Sequence, residues 1–582
     1  MLPDQNGGMS WDKRVSRNEF LKIAAVFSAM ATLPAAGQEG EGLTADDVAK
    51  AEKLAGVELT EEQRNGLVRS LANQRRVFDE LRDGEIPNDL APSTPFVPQG
   101  KVKSLSGPVE ANVIRRDRLR KPESDEDLAF MTLAELGVLI RSKQVTSRQL
   151  TELALRRLKE YGPRLLCLVN LTEERALAHA DMMDAEIRRG RIRSHVHGIP
   201  YGIKDLFAAK GAPTTWGAEP YRDQVIDRDA TVVQKLEAAG AVLCAKLANG
   251  ALAMGDVWYA GTCRNPWNAT QGSSGSSAGS ASAMAAGLVP FTIGTETLGS
   301  IVSPSQRCRV TGLRPTFGRV SRAGAMTLSW TMDKVGPICR TAEDCALVLT
   351  AIAGADPGDL AAVNRPFRYR PGVDLSRLKI GYLEAESLDQ DDATRDMNEV
   401  LDLIREMGGD PQPIKFTPAV PGVDDVLVVE AAAAFDQLTR SGEADTMKDS
   451  FWPTIFRTAM FLTGVDYVQA MRVRTSMMRK FEEEFGEFDF FVAPDRGGYT
   501  LFITNLTGHP QLYIPLGAQG IRGQGVSLVG RLYDEETILG VGTMIQEKRP
   551  VYRNRPDLRN LPVEGAPPAV SAGLGTNLSR LV

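Results

Sequence analysis

Residues 265–316 constrain this chain more than any other part of it. They read NPWNATQGSSGSSAGSASAMAAGLVPFTIGTETLGSIVSPSQRCRVTGLRPT. The first cluster, Gly272-Ser273-Ser274-Gly275-Ser276-Ser277-Ala278-Gly279, carries too little apolar side chain to be core. A second tight turn follows at Gly294-Thr295-Glu296-Thr297-Leu298-Gly299-Ser300. Between them, Ala281 to Ile293 is built of small residues and reads as a helix running into a strand. A Gly/Ser run alone has the composition of a linker. A linker does not normally lead straight into Met284-Ala285-Ala286-Gly287-Leu288-Val289-Pro290-Phe291, however. Two hydroxyl-bearing turns joined by one buried element can be brought side by side, an arrangement suited to catalysis.

Composition narrows the class. With 582 residues, 43% hydrophobic and 24% charged, the chain has the make-up of a soluble globular protein and room for more than one domain. A net charge of −6 gives no electrostatic case for nucleic-acid binding. Six cysteines (Cys167, Cys244, Cys263, Cys308, Cys339, Cys345) are scattered without a C-x-x-C, so neither a zinc site nor a disulfide framework is indicated. The four histidines (His179, His195, His197, His509) form no H-E-x-x-H, and no metal or other cofactor is expected. No stretch reaches the roughly 18 to 20 apolar residues of a membrane span. The N-terminus has a signal-like outline: Ser16-Arg17-Asn18-Glu19-Phe20-Leu21-Lys22, an apolar run from Ile23 to Leu33, then Pro34-Ala35-Ala36-Gly37. It resembles a twin-arginine signal with Asn18 where the second arginine belongs, which leaves the cytoplasm and export to a bacterial periplasm both open.

Along the chain, residues 1–40 read as signal-like or disordered. Residues 41–86 read as a helical hairpin on a larger body, and 87–126 as a proline-rich connector. From 127 to 555, helical and strand patterns alternate. Helices are expected at Ser147–Tyr161, Thr172–Arg189 and Thr231–Ala239 and from Gly250 onward, with strands at Cys167–Val169 and Ala241–Ala245 and a turn feeding a buried strand over His195–Phe207. That alternation predicts an α/β fold with a central mixed, mostly parallel sheet covered by helices on both faces. Residues from about 357 to 480 are the least informative, and 556–582 read as a disordered tail.

The ordered pattern G-S-S-x-G-S, A-A-G-L-V-P, G-T-E-T-x-G-S-I and V-T-G-L-R-P-T-x-G-R-V-S resembles the amidase signature family, over roughly residues 127 to 550. The resemblance implies the amidase signature fold, here with an N-terminal helical extension, and a serine hydrolase that needs no cofactor. Ser300 matches the family nucleophile. Ser276, 24 positions earlier, matches the bridging serine that the family holds behind a cis peptide bond. Lys204, in Gly198-Ile199-Pro200-Tyr201-Gly202-Ile203-Lys204-Asp205-Leu206-Phe207, matches the family base. A lysine serves as base only when neutral, so it has to be buried or set beside positive charge. The backbone N–H groups of Thr297, Leu298, Gly299 and Ser300 match the oxyanion hole. Met254, Trp258 and Ser277 are substrate-pocket candidates.

Four departures stand out: Leu298 for a glycine, Val302 for an arginine, Arg309 for a glycine and Ala251 for a glutamate. The expected substrate is a small-molecule amide, carbamate or ester, and a homodimer is possible. Three alternatives stay open: a G-x-S-x-G nucleophile elbow with Ser277 as nucleophile, the glutaminase component of a tRNA-dependent amidotransferase complex, and a non-catalytic binding protein on the same fold.

Overall fold

The computed structural model describes residues 43–82, 108–116, 118–384, 391–420, 422–447, 450–517 and 524–562. The signal-like segment 1–40, the end of the expected hairpin, the connector up to residue 107 and the tail beyond 562 lie outside the described residues.

Eleven strands form the central sheet. In chain order they are β1 (Leu168–Leu171), β2 (Pro200–Lys204), β3 (Val242–Leu247), β4 (Phe291–Glu296), β5 (Thr311–Arg314), β6 (Lys334–Cys339), β7 (Ile380–Leu383), β8 (Pro411–Ile414), β9 (Phe490–Pro494), β10 (Gln511–Gly517) and β11 (Gln524–Gly530). Across the sheet they run β8-β7-β9-β11-β10-β5-β6-β4-β2-β3-β1.

The sheet is mixed, as expected, but it is not mostly parallel. Only β7/β8, β7/β9, β2/β3 and β2/β4 pair in parallel, and the other six neighbours are antiparallel. The parallel pairs occur where a helix intervenes, such as Thr231–Ala238 between β2 and β3 or Asp391–Glu406 between β7 and β8. In the middle, β5 and β6 are joined by a long loop and β10 and β11 by a short connection, so those strands return antiparallel.

Every residue of β2, β3 and β4 is buried, as a sheet covered on both faces requires. Residues of β3 contribute to two cores, with a register shift against β2 between Leu243 and Ala245. Leu243 joins a core with Tyr201, Ile203, Phe291 and Ile293. Val242, Cys244 and Leu247 join another, with Ala154 and Leu158 from helix Ser147–Leu165 and Ala278 and Ala283 from helix Ala278–Ala285. All six cysteines are buried free thiols.

Two other expectations give way. Residues after Gly250 do not form a helix: only a 3-10 turn, Ala251–Ala253, is present, because Leu252 (φ 47°) and Ala253 (φ 67°) are left-handed and break any helical run. Residues 556–562 are not tail: Leu558 and Leu561 are buried beside helix Ser147–Leu165, whose Arg164 donates to the carbonyls of Leu561 and Pro562.

Helices Ala45–Ala55 and Glu61–Arg82 precede the sheet. The first opens with a Thr44/Asp47 capping box and ends at left-handed Gly56; Thr60 and Gln63 cap the second reciprocally. They dock through Ser70 on Thr458 (3.0 Å) and Gln74 on Asp425 (2.5 Å).

Helix Ala278–Ala285 presses directly on the sheet. Gly279 N–H donates to the Ala248 carbonyl at 2.7 Å, and a Cβ at 279 would stand 2.5 Å from both Ala248 N and Cys167 O. Those neighbours are backbone and cannot rotate away. Gly279→Ala is therefore expected to lower unfolding stability by about 1–3 kcal/mol, read as a shifted urea midpoint at unchanged m-value.

Candidate active site

Lys204 ends β2, its side chain fully buried. Its Nζ donates to Ser276 Oγ at 2.8 Å, to Thr295 Oγ1 at 2.8 Å and to the Thr295 carbonyl at 3.4 Å. Among the described residues no carboxylate pairs with it. Burial therefore pushes its pKa well below the ordinary lysine value, and the more distant charges of Asp333 and Glu296 only partly oppose that. Lys246, on the adjacent strand, is the contrasting case: equally buried, it is paired with Asp205 at 2.6 Å and held by Thr214 Oγ1 and the Pro213 carbonyl.

Ser276 follows the chain's cis non-proline bond, Gly275–Ser276. The turn that carries it is fixed from two sides. Asp256 accepts the Ser274 N–H at 2.7 Å, and Gly275 lies so close to the Gly255 carbonyl that a Cβ there would meet it at 1.8 Å. The second serine turn is joined to the first by the Ser277 N–H, which donates to the Ser300 carbonyl at 3.1 Å. The two hydroxyl-bearing turns thus lie side by side, and Ser300 is buried to 8% exposure.

The turn before Ser300 is framed by residues that the motif reading did not single out. Glu296 Oε2 accepts the N–H groups of Ile301 (2.8 Å) and Val302 (3.0 Å). Its Oε1 takes Arg314 Nη1 (2.8 Å) and Asn505 Nδ2 (2.9 Å). Burial works against this carboxylate, but Arg314 outweighs it and holds the pKa below the usual range. Thr297 Oγ1 donates to Asp333 at 2.6 Å, and Asp333 also accepts the N–H groups of Leu328 and Ser329. Among the described residues, the N–H groups of Thr297, Leu298, Gly299 and Ser300 reach no protein acceptor. Four adjacent free donors beside a buried serine can stabilise a developing oxyanion. Thr295, Glu296 and Asp333 carried no sequence signal beyond lying in matched motifs, because their partners, Lys204, Arg314, Asn505 and Thr297, lie on other segments of the chain.

The three pocket candidates part company. Ser277 Oγ donates to the Thr295 carbonyl (3.0 Å) and accepts its N–H (3.2 Å), so it pins the turn to β4. That leaves the elbow alternative without a free nucleophile, and the segment before it is a small hairpin, Arg264–Asn265 against Asn268–Gly272, outside the main sheet. Trp258 spends its indole N–H on the Leu166 carbonyl at 3.1 Å, away from the serines' hydrogen-bond network. Met254 lies beside the Gly275 turn, since the Met254 and Gly255 carbonyls both crowd Gly250 and Gly255 touches Gly275. It packs with Leu298, Trp216 and Ala251 against an apolar cluster containing Phe435, Trp452 and Phe456. No group of three or more His, Cys, Asp or Glu suited to a metal occurs among the described residues.

Residues 149–498 match the family model for amidases, and the chain belongs to the amidase family. A glutamyl-tRNA(Gln) amidotransferase component from Roseiflexus sp. (strain RS-1) is 33% identical over 492 residues, 75% of this chain and 99% of that protein. Among solved structures, the native peptide amidase from Stenotrophomonas maltophilia is similar at 26% identity and a TM-score of 0.67, covering 74% of this chain and 98% of that one. An amidase family protein from Bacillus anthracis str. Ames shares the fold at 24% identity, with a TM-score of 0.68 over 75% of this chain and 94% of that one.

Burial that lowers the Lys204 pKa in the fold below its unfolded value has a thermodynamic consequence. Where the unfolded state binds more protons, stability rises with pH. The penalty is full below the folded pKa and disappears as pH approaches the unfolded value of about 10.4. Lys204→Met is expected to unfold at a higher temperature than the parent at pH 7, with the gap closing toward pH 10, as calorimetry would read.

Proposed function

We propose that this chain hydrolyses a carboxamide C–N bond, with Ser300 as nucleophile, Ser276 as proton relay and Lys204 as base. The observation that carries the reading is the 2.8 Å contact between Lys204 Nζ and Ser276 Oγ in a buried pocket without a counter-ion. A neutral Lys204 takes the proton of Ser276 as Ser276 takes that of Ser300. Ser300 Oγ then bonds to the amide carbon, and the carbonyl oxygen gains the charge that the N–H groups of residues 297–300 receive. The proton returns along the same path to the departing nitrogen, which leaves as ammonia or an amine. Water repeats the cycle on the acyl-Ser300 ester, releasing the carboxylic acid.

The likeness to an amidotransferase component, at 33% identity over 99% of that protein, favours one form of this chemistry. In that form the chain is the glutaminase-type member of a complex and frees ammonia from a primary carboxamide. A second form, a free-standing amidase, draws on the likeness to a peptide amidase and on the apolar wall of Leu298, Met254 and Trp216. Ammonia release from L-glutamine, measured with the chain alone and with the other amidotransferase components of the same organism, separates them. Glutaminase activity that needs the partners supports the first. Turnover of peptide or aryl amides by the chain alone supports the second.

Either form makes the same demand on the serines. An alkyl fluorophosphonate is expected to label the parent, and Ser300→Ala to abolish the labelling. Ser276→Ala and Lys204→Met are each expected to slow amide turnover about a thousandfold or more. Labelling that survives Ser300→Ala sinks the assignment.

A further inference from the structure

We infer that Lys334 is a positioning residue for this reaction: from behind the nucleophile turn it fixes the Thr297–Leu298 peptide so that the Leu298 N–H faces the reacting carbonyl. The inference rests on Ser300 being the nucleophile. Lys334 begins β6, directly across from Glu296 on β4, and is buried. Its natural counter-ion is taken, because Glu296 is engaged by Arg314 and Asn505. The Lys334 Nζ turns instead to three carbonyls, those of Thr297 (3.4 Å), Asn505 (3.4 Å) and Met332. Burial, with the Arg314 charge added to it, lowers the Lys334 pKa well below the ordinary lysine value, and the N–H groups that the amine keeps are directed at these carbonyls.

The consequence follows from peptide geometry. In a planar trans peptide the C=O and the following N–H point in opposite directions, and the 297–298 bond is trans. A Thr297 carbonyl turned toward Lys334 therefore sends the Leu298 N–H to the opposite side, where it meets no protein acceptor among the described residues. The rest of the turn is aimed in the same manner. The Gly299 carbonyl accepts from Ser303 N at 2.8 Å, which directs the Ser300 N–H away from the helix that follows. The Ser300 carbonyl accepts from Ser277 N at 3.1 Å, and the Ile301 N–H points to Glu296. Consecutive residues thus hold Thr297 twice, Asp333 by its hydroxyl and Lys334 by its carbonyl. Lys334 touches none of the reacting atoms and acts only through the orientation of that peptide.

The test uses an alkyl fluorophosphonate on the full chain, with labelling resolved into kinact and KI. Lys334→Met is expected to lower kinact about tenfold or more, bounded by the roughly 10²–10³ typical of deleting a donor outright, with KI unchanged. Lys334→Gln, which keeps an N–H for the carbonyls, is expected to stay within about tenfold of the parent. A folded Lys334→Met labelled at the parent kinact overturns the inference, as does a loss shared equally by kinact and KI. If Lys334→Met does not fold, Lys334→Gln decides alone: a folded glutamine variant more than about tenfold down in kinact overturns it. Labelling that persists in Ser300→Ala instead overturns the nucleophile assignment, so the two failures are distinguishable.

Discussion

A buried amine at the end of a central strand, paired with no carboxylate among the described residues, is the condition on which the rest of this structure depends. Burial there disfavours the charged form and pushes the Lys204 pKa well below the ordinary lysine value. Lys204 is surrounded by hydroxyls and a carbonyl. The carboxylates that could restore its charge are occupied elsewhere: Glu296 by Arg314, Asp333 by Thr297 and two backbone amides, Asp205 by Lys246 and Thr215. Each engagement also holds a piece of the site. Glu296 and Asp333, whose engagements keep them from Lys204, also hold the turn before Ser300.

Sequence patterns foretold the parts of this arrangement that are local. Ala281 to Ile293 read as a helix running into a strand, His195–Phe207 as a turn feeding a buried strand and Ala241–Ala245 as a strand; the structure has helix Ala278–Ala285 and strands Phe291–Glu296, Pro200–Lys204 and Val242–Leu247 there. The ordered motifs pointed to Lys204, Ser276 and Ser300 through a family resemblance; in the structure Lys204 Nζ meets Ser276 Oγ, and the Ser277 N–H joins that turn to the Ser300 carbonyl. Strand direction was not legible, because antiparallel closure in the middle of the sheet is set by loops such as 315–333 whose composition does not reveal which way they return. The frame of Glu296, Asp333, Arg314 and Asn505 was equally hidden. Its members are up to 209 positions apart and meet only after the sheet has formed.

The departures from the family pattern acquire definite meanings. Leu298 has no positive φ; the left-handed residue of that turn is Gly299 (φ 88°), so leucine is unstrained and adds apolar surface. Val302 is buried against Leu501 and Tyr513, which leaves the start of its helix without the arginine of the family pattern. Arg309 does stand where glycine is preferred: it closes helix Val302–Cys308 at φ 57°, with its guanidinium over the Trp267 ring at 4.8 Å. Ala251 offers only its carbonyl, which receives the Trp452 indole N–H at 3.2 Å. Leu298, Val302 and Ala251 each put an apolar side chain where the family pattern has a glycine or a charged residue, whereas Arg309 adds a guanidinium; the hydroxyl partners of Lys204 are present throughout.

The dependence of Glu296, Arg314 and Lys334 on Asn505 and the His509 carbonyl carries a lesson about synthesis. A ribosome delivers Lys204, Ser276 and Ser300 close together in time, yet the groups that fix the turn between them emerge far later. Until then a nascent chain would hold an acid and a guanidinium half-satisfied beside an unset loop. A fragment ending before residue 505 would lack the Asn505 side chain and the His509 carbonyl to which Glu296, Arg314 and Lys334 are tied.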